Sequence, residues 1–439
     1  MRTLVKNATI LTMNERMDKY NKGYLIVEGD TIKEVGSLSE MEENGFDQVI
    51  DGEEGILLPG MVNTHTHVGM IPFRSLGDDC IDRLRKILFP LETKYMTKEL
   101  AYCSAKYAIA EMLLGGVTTF LDMYYFEEEI AKACQEMKAR ALLGETVVNF
   151  PSCDSDQPHG GLEYGEEFIR KWQNHPLITP IIAPHAPNTV DEKALIRVKE
   201  ISDRYQIPFA IHLSEMDYEM EYFWNKYQLT PVEYLERIGV LGKRMVAAHC
   251  IHVTKSDLEI LHKLQVKVAH CIGSNTKSAK GVAPVRKMLE IGLEVGLGTD
   301  GASSGNTLDL FTQLKLFANF HKNENKDRQA FPAAEIVKLA TIGGARVLQL
   351  EDSIGSLEPG KKADFILVET KSVNMFPIYD PYAVLVYSAN ASNVDTVFVN
   401  GVPLVRNKTL QLFTLRDLRR DLEHTMAEFK NKALEIDEI

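Results

Sequence analysis

The rhythm of apolar and polar positions changes twice along the chain. From residue 2 to about 56, apolar residues alternate with polar ones in short runs, TLVKNATILTM and GYLIVEGDTIKEVG, the period-two pattern of half-buried strands. Gly29-Asp30 interrupts the second run as a hairpin turn. The same rhythm returns far downstream in ADFILVE, AVLVYSA and VDTVFVNGVPLV, where Asn400-Gly401 makes another such turn. A β unit assembled from both ends implies that the middle is a self-contained insertion. There the pattern is different. Near-continuous apolar runs (VNTHTH, GVTTFLDM, RALLGETVV, ITPIIAPH, PFAIHLSE, RMVAAHC, VKVAHC and LEVGLGTD) alternate with amphipathic stretches such as KELAYCSAKYAIAEMLL and DEKALIRVKEISDRY. Eight apolar strands, each followed by helical or loop sequence over roughly 240–300 residues, match an α/β fold of the (β/α)8 TIM-barrel type. The expected division is a small β-sandwich from 1–57 plus 356–412, a barrel over 58–355, and a C-terminal helix in 413–439. Helical patterns at 332–350 and 415–434 lie outside the count of eight. A doubly wound sheet shares the alternation, but only a closed barrel gathers so many polar strand ends at one mouth.

Composition narrows the setting more than the chemistry. The 439 residues are 45% hydrophobic and 25% charged, as in an ordinary globular enzyme. A net charge of -13 argues against a nucleic-acid partner, which needs a cationic footprint. No stretch is long and apolar enough for a membrane partner, and the first residues follow a strand pattern instead of a signal peptide's. Six cysteines without a C-x-x-C pair read as reduced thiols, so a cytoplasmic protein is expected. No G-x-G-x-x-G follows an early strand, which disfavours a dinucleotide oxidoreductase.

The candidate chemistry lies at the strand ends. LLPGMVNTHTH places His65 and His67 one residue apart at the tail of the first barrel strand, where both side chains share a face. Later strands end in Asp122, His185, His212 with Glu215, His249, His270 and Asp300. Each taken singly reads most simply as a hydrogen-bonded structural group, or for Asp300 a helix cap. Together, at the carboxyl ends of barrel strands, they read as an active face. Three neutral imidazoles and a carboxylate suit zinc or another borderline metal with a position left for water. Such an ion lowers the pKa of that water from about 15.7 to near 7. Asp122 and His270 are expected to support ligands and not to bind the ion. His252, His262 and His321 read as structural or surface residues, and His159 and His175 as solvated loop residues.

These motifs carry a family resemblance. PGMVNTHTH, APHAP, HLSE, AAHCIH, HCIGSNTKSAKGVAPV, LGTDGASS and GSLEPGKKADFILVE span nearly the whole chain. In that order the sequence resembles the amidohydrolase superfamily, and within it the zinc aminohydrolases of the methylthioadenosine/S-adenosylhomocysteine deaminase and chlorohydrolase group. The resemblance implies one divalent ion per subunit, zinc or iron in its place, held by His65, His67, His212 and Asp300. No lysine stands near the fourth strand end, unlike in two-metal members. It further implies that Asp300 takes a proton from water, that Glu215 shuttles protons to a ring nitrogen and to leaving ammonia, and that His249 orients the reacting centre. His185 would contact substrate. A homo-oligomer is implied as well, acting on a small-molecule substrate and water.

One departure bears on the substrate. The family's nucleoside deaminases carry an acidic residue followed by Trp in the loop after the first strand. Here the loop, 73–92, has no Trp, and Asp82, Arg83 and Arg85 are the polar residues available. The loop expected at 160–167 also lacks the arginine that would meet a substrate carboxylate. The leading expectation is hydrolytic deamination of an amino-substituted N-heterocycle, adenosine-like for preference. A guanine or pterin deaminase, or a triazine-type chlorohydrolase or aminohydrolase on the same site, are its rivals. From another class comes a metal-stabilised binding barrel without catalysis.

Overall fold

The computed structural model describes residues 1–41 and 44–436. The N-terminal strands are β1 (Arg2–Leu11), β2 (Lys19–Glu28), β3 (Thr31–Ser37), β4 (Gln48–Asp51) and β5 (Ile56–Pro59). Next come β6 (Met61–Thr66), β7 (Val117–Tyr124), β8 (Arg140–Val147), β9 (Ile178–Pro184), β10 (Phe209–Leu213), β11 (Met245–His249), β12 (Lys267–His270) and β13 (Val295–Leu297). The C-terminal strands are β14 (Phe365–Val368), β15 (Val394–Val399), β16 (Val402–Arg406) and β17 (Thr409–Leu410).

The two ends of the chain do form one sheet, in the order β17-β16-β15-β14-β5-β1-β2-β3 with β4 also on β1. The junction is antiparallel, Leu57 opposite Leu367 and Pro59 opposite Phe365. The two turns read from sequence come back to back. Gly401, at φ 73°, lies so close to the Gly29 carbonyl that a Cβ would sit 2.1 Å from its oxygen. The Asp30 carbonyl also accepts the Ala363 N–H at 2.8 Å. Val27, Ile32, Phe365 and Phe398 consequently share one apolar core, where the two phenylalanine rings stack 4.6 Å apart.

The other sheet has eight strands in strict sequence order, β6 to β13, paired in parallel from β8 onward. Its central strands are buried along their whole length, which is why their apolar runs do not alternate. Helices follow the strands, among them Glu127–Met137, Glu192–Tyr205 and Lys255–Lys263. The Asp300 N–H donates to the His65 carbonyl at 3.0 Å, bringing the end of the last strand onto the first, as in a closed barrel. The described residues fall into two compact units, one from Met1–Thr64, Ala110–Thr119 and Asp309–Leu412, the other from the rest. No helix among the described residues is long and apolar enough to cross a membrane.

Local structure departs from the sequence reading in a few places. The stretch 160–167 is the first part of a helix, Gly160–Trp172, and not a loop. Its two leading glycines are poor helix formers, yet a Cβ on Gly161 would sit 2.2 Å from the Thr146 carbonyl oxygen, and Phe168, Ile169 and Trp172 bury the helix's apolar face. Part of 73–92 is helical as well, through Leu84–Leu88 and Phe89–Tyr95. The pattern at 332–350 is two helices, Ala333–Leu339 and Ile342–Val347, separated at Thr341. That at 415–434 breaks at Met426 into Leu415–Thr425 and Ala427–Ala433. Residues 437–439 of the expected terminal helix lie outside the described residues.

Candidate active site

Six sequence-nominated side chains converge at the barrel's carboxyl end. His65 is the last residue but one of β6, and His67 directly follows the strand. Their ring centroids stand 4.7 Å apart, and His212, from β10, is 4.9 Å from His65. His249, from β11, is 5.5 Å from both His65 and His212. Asp300, just past β13, brings Oδ1 to 3.2 Å from His67 Nε2 and 3.9 Å from His65 Nε2. Glu215 Oε1 lies 3.6 Å from His249 Nε2. Ser214, His249 and Asp300 turn the chain with positive φ (50°, 71° and 59°), a conformation costing non-glycine residues on the order of 1–3 kcal/mol and concentrated at functional sites.

Backbone and side-chain acceptors set the imidazole tautomers. His67 Nδ1 donates to the Met123 carbonyl at 2.6 Å, and His212 Nδ1 to the His185 carbonyl at 2.7 Å. His249 Nδ1 meets Asn275 Oδ1 at 2.8 Å. With Nδ1 protonated, each ring turns an Nε2 lone pair toward the cluster, as a metal ligand requires. Asp300 is itself held by Ser274 Oγ on Oδ2 and the Gly301 N–H on Oδ1, each at 2.7 Å. A Cβ on Gly298 would lie 3.1 Å from the His65 N, so the glycine of LGTD admits the close approach of the two strand ends.

Electrostatics mark the cluster as one made for a cation. Burial, with neighbouring imidazoles, pushes His65 and His212 well below the usual histidine value. Burial acts the same way on His67, but the adjoining Asp300 carboxylate outweighs it and raises this ring to about 9. Burial alone would raise Asp300, yet it too is held well down by His67. A buried carboxylate is thus drawing a proton onto one imidazole, a charge that a divalent ion would supply better. The ligand atoms of His65, His67 and Asp300, and those of His65, His212 and His249, each lie within 4.8 Å of one another. Three imidazoles and a carboxylate fit zinc.

Beside the cluster opens a cavity of about 550 Å³, whose walls include Glu92, Tyr124, His185, Glu215, Tyr218 and Lys280. His185 donates from Nδ1 to Thr189 Oγ1 at 2.9 Å, since that hydroxyl gives its own hydrogen to the Ala186 carbonyl. Burial lowers His185 to about 4, so it is neutral, with Nε2 as its acceptor. Asp82 and Arg83 also line the cavity. The Arg83 guanidinium is occupied by the carbonyls of Leu76, Ser303 and Phe73 at 2.7, 2.6 and 3.2 Å, and thereby ties the loop down. Arg85 lies over the Tyr218 ring. Asp122 is buried behind His67 and accepts the Val68 N–H at 2.7 Å, while His270 is buried at the end of β12.

Of the remaining histidines, His159 pairs with Asp191 at 3.0 Å, and His175 Nδ1 accepts the Leu177 and Ile178 N–H groups at 3.2 Å, so neither is simply solvated. His321 is packed between Phe317 and Phe331. Sequence reasoning passed over several groups that shape the site. Ser274, Asn275 and Lys280 all lie in the HCIGSNTKSAKGVAPV motif, which was the available signal. Glu219, four residues past Glu215, accepts the Ser214 and Glu215 N–H groups, each at 2.9 Å. Glu92, the last residue of 73–92, accepts the Tyr124 hydroxyl at 2.7 Å, and burial raises it to about 7.

Comparison with known proteins agrees with this architecture. Residues 56–404 match the amidohydrolase family model. A 5-methylthioadenosine/S-adenosylhomocysteine deaminase from Syntrophus aciditrophicus is 37% identical over 435 residues, covering 98% of each chain. Its counterpart from Syntrophomonas wolfei is 38% identical over 437 residues, covering 98% of this chain and all of that one. Among solved structures, an adenosine deaminase from Xanthomonas campestris with bound zinc superposes with a TM-score of 0.95 at 27% identity, covering 98% of each chain. The chain belongs to the amidohydrolase family.

Proposed function

We propose that this chain is a metal-dependent hydrolytic deaminase of an amino-substituted N-heterocycle, with an adenosine-like nucleoside (methylthioadenosine, S-adenosylhomocysteine or adenosine) preferred over other rings. The observation that carries the reading is the carboxylate of Glu215 beside a cluster of four imidazoles and Asp300, of which His67, His212, His249 and Asp300 line the same cavity as Glu215. The names of the relatives, which match along nearly the full chain, point the same way.

His65, His67, His212 and Asp300 would hold one divalent ion, zinc by its donor set. Such an ion would supply Lewis-acid activation of a water. Asp300 takes a proton from that water as its oxygen forms a bond to the amino-bearing carbon. Of the water's two protons, Glu215 accepts one and hands it to the neighbouring ring nitrogen, and the one taken by Asp300 passes to the departing amine, so that both carboxylates end ionised. The carbon–nitrogen bond then breaks, giving ammonia and a ring carbonyl with a protonated ring nitrogen, which balances one water against one amine. His249, fixed by Asn275, steadies the developing tetrahedral centre, and His185 offers Nε2 to the substrate. Asp82 stands at the rim, and Arg83 keeps that rim in place.

Zinc-replete protein should release ammonia from at least one member of a panel of adenine nucleosides, guanine and pterins. Silence across the panel with one zinc bound per chain would overturn the reading. Displacement of chloride from a triazine, with activity retained in Glu215→Gln, would transfer it to the chlorohydrolase branch.

A further inference from the structure

The segment after β12 supplies none of the four proposed metal ligands, yet three of its side chains reach groups that carry or steady the chemistry. Ser274 Oγ donates to Asp300 Oδ2 at 2.7 Å, and Asn275 Oδ1 meets His249 Nδ1 at 2.8 Å. The third is Lys280, whose ammonium donates to Glu215 Oε1 at 2.6 Å. His249 Nε2 stands 3.6 Å from that same oxygen, so Oε1 is held from two sides. Lys280 and Glu215 both line the cavity, with side chains only 15% and 19% exposed.

The backbone delivers this lysine to its partner. Helix Ile272–Lys277 ends at Ser278, beyond which the Lys280 N–H reaches back to the Asn275 carbonyl at 2.9 Å and the Ala279 N–H to the Thr276 carbonyl at 3.2 Å. These two bonds make a Schellman cap, which turns on a left-handed residue, here Ala279 at φ 54°. The residue after that turn frequently packs an apolar side chain back on its helix. At this position the chain instead has a lysine, bonded to a carboxylate on the far side of the cavity mouth.

A group that moves protons must stand in one place relative to the reacting ring. A carboxylate largely withdrawn from water holds such a place at low cost only when an opposite charge faces it. We infer that Lys280 is a positioning residue for Glu215, the counter-ion that fixes where this carboxylate stands while protons pass. This role deepens the deaminase reading and rests on it, since it matters to turnover only if Glu215 carries protons.

The test compares zinc-loaded wild type, Lys280→Met, Glu215→Gln and the double variant on the ring of the panel that releases ammonia fastest. Lys280→Met should lower kcat roughly ten- to hundredfold, part of the span a general acid or base commands, and change KM less than about threefold. In the Glu215→Gln background the same substitution should change kcat less than about threefold, because its effect runs through the carboxylate already removed. Lys280→Arg, which keeps the charge, should recover most of the lost rate. Crystal structures of the zinc-loaded proteins supply a readout independent of turnover: in Lys280→Met the Glu215 carboxylate should leave its place beside His249. Zinc content and urea midpoints show whether each variant keeps its site and fold, and Lys280→Gln replaces Lys280→Met where the latter does not. An equal loss of kcat in both backgrounds, an unchanged kcat in Lys280→Met, or a carboxylate that stays where it was would each overturn the inference while leaving the deaminase reading intact. Ammonia from no ring would overturn that reading instead, and the crystal structures would still decide whether Lys280 holds Glu215 in place.

Discussion

The core of the end-derived sheet and the cluster at the barrel's carboxyl end are equally buried and chemically opposite. In the sheet, Val27, Ile32, Phe365 and Phe398 pack together in one apolar core, and their burial stabilises the fold directly. At the barrel end, His65, His212, His249 and Asp300 are just as deeply enclosed, and their burial opposes folding unless every polar atom finds a partner. The same contrast reaches the carboxylates. Burial raises Glu92 and Glu219, both beside the cavity, to about 7. In the sheet unit, Glu369 is lowered to about 2, because hydrogen bonds from Ser372 and Asn393 outweigh its burial. One region is built for stability, the other for a bound cation and a substrate.

The strongest way to break this contrast is Asp300→Asn. Zinc content and ammonia release should both fall to background, and the metal-free variant should melt below metal-free wild type, since the buried pair with His67 has lost one partner. Zinc retained at the wild-type level would take Asp300 out of the metal site. Next, Glu215→Gln should keep its zinc and lose about 10²- to 10⁴-fold in kcat, the usual span for a general acid or base. A loss under tenfold would take Glu215 out of the proton path. Phe398→Ala belongs to the other region: urea unfolding should show about 3–5 kcal/mol lost, with kcat per folded molecule unchanged. A fall in kcat at full folding would show that the two regions are not separable in this way.

The smallest effects concern pH. Folded Glu92 and Glu219 keep their protons to about 7, while the unfolded chain releases them near 4.5. Stability should therefore decline as pH rises from about 4.5 to 7, by on the order of 1–3 kcal/mol for each group. Glu369 works in the other direction: its contribution is present above 4.5 and is lost as pH falls toward 2. Urea midpoints from pH 3 to 8 should show both limbs. Glu92→Gln should flatten the upper limb and Glu369→Gln the lower, and a single variant flattening both would undo the regional assignment.

Much of the fold was legible because hydrophobic rhythm is local. Period-two runs at both ends marked a shared sheet, except that AVLVYSA lies largely in the helix Pro381–Tyr387 instead of a strand. Long apolar runs marked buried parallel strands, so His65, His67, His212, His249 and Asp300 could be nominated from their places at strand ends. What escaped depended on contacts distant in sequence. The helix Gly160–Trp172 is hidden behind two glycines, Gly161 being required by the nearby Thr146 backbone and Gly160 lying against Ser155. Glu92 read as one more loop acid, because nothing near it in sequence shows that Tyr124 and the cavity enclose it.

By itself the sequence determined which donors exist and in what order the strands deliver them, since side-chain direction at a strand end follows from backbone geometry. The tertiary structure decided how those donors are tuned. His67 takes its tautomer from the Met123 carbonyl, 56 residues away, and Glu215 meets an ammonium 65 residues away. Arg83 is spent on a carbonyl 220 residues away. Proton positions and charge balance in a buried site depend on which groups lie within about 3 Å. No local pattern encodes that distance.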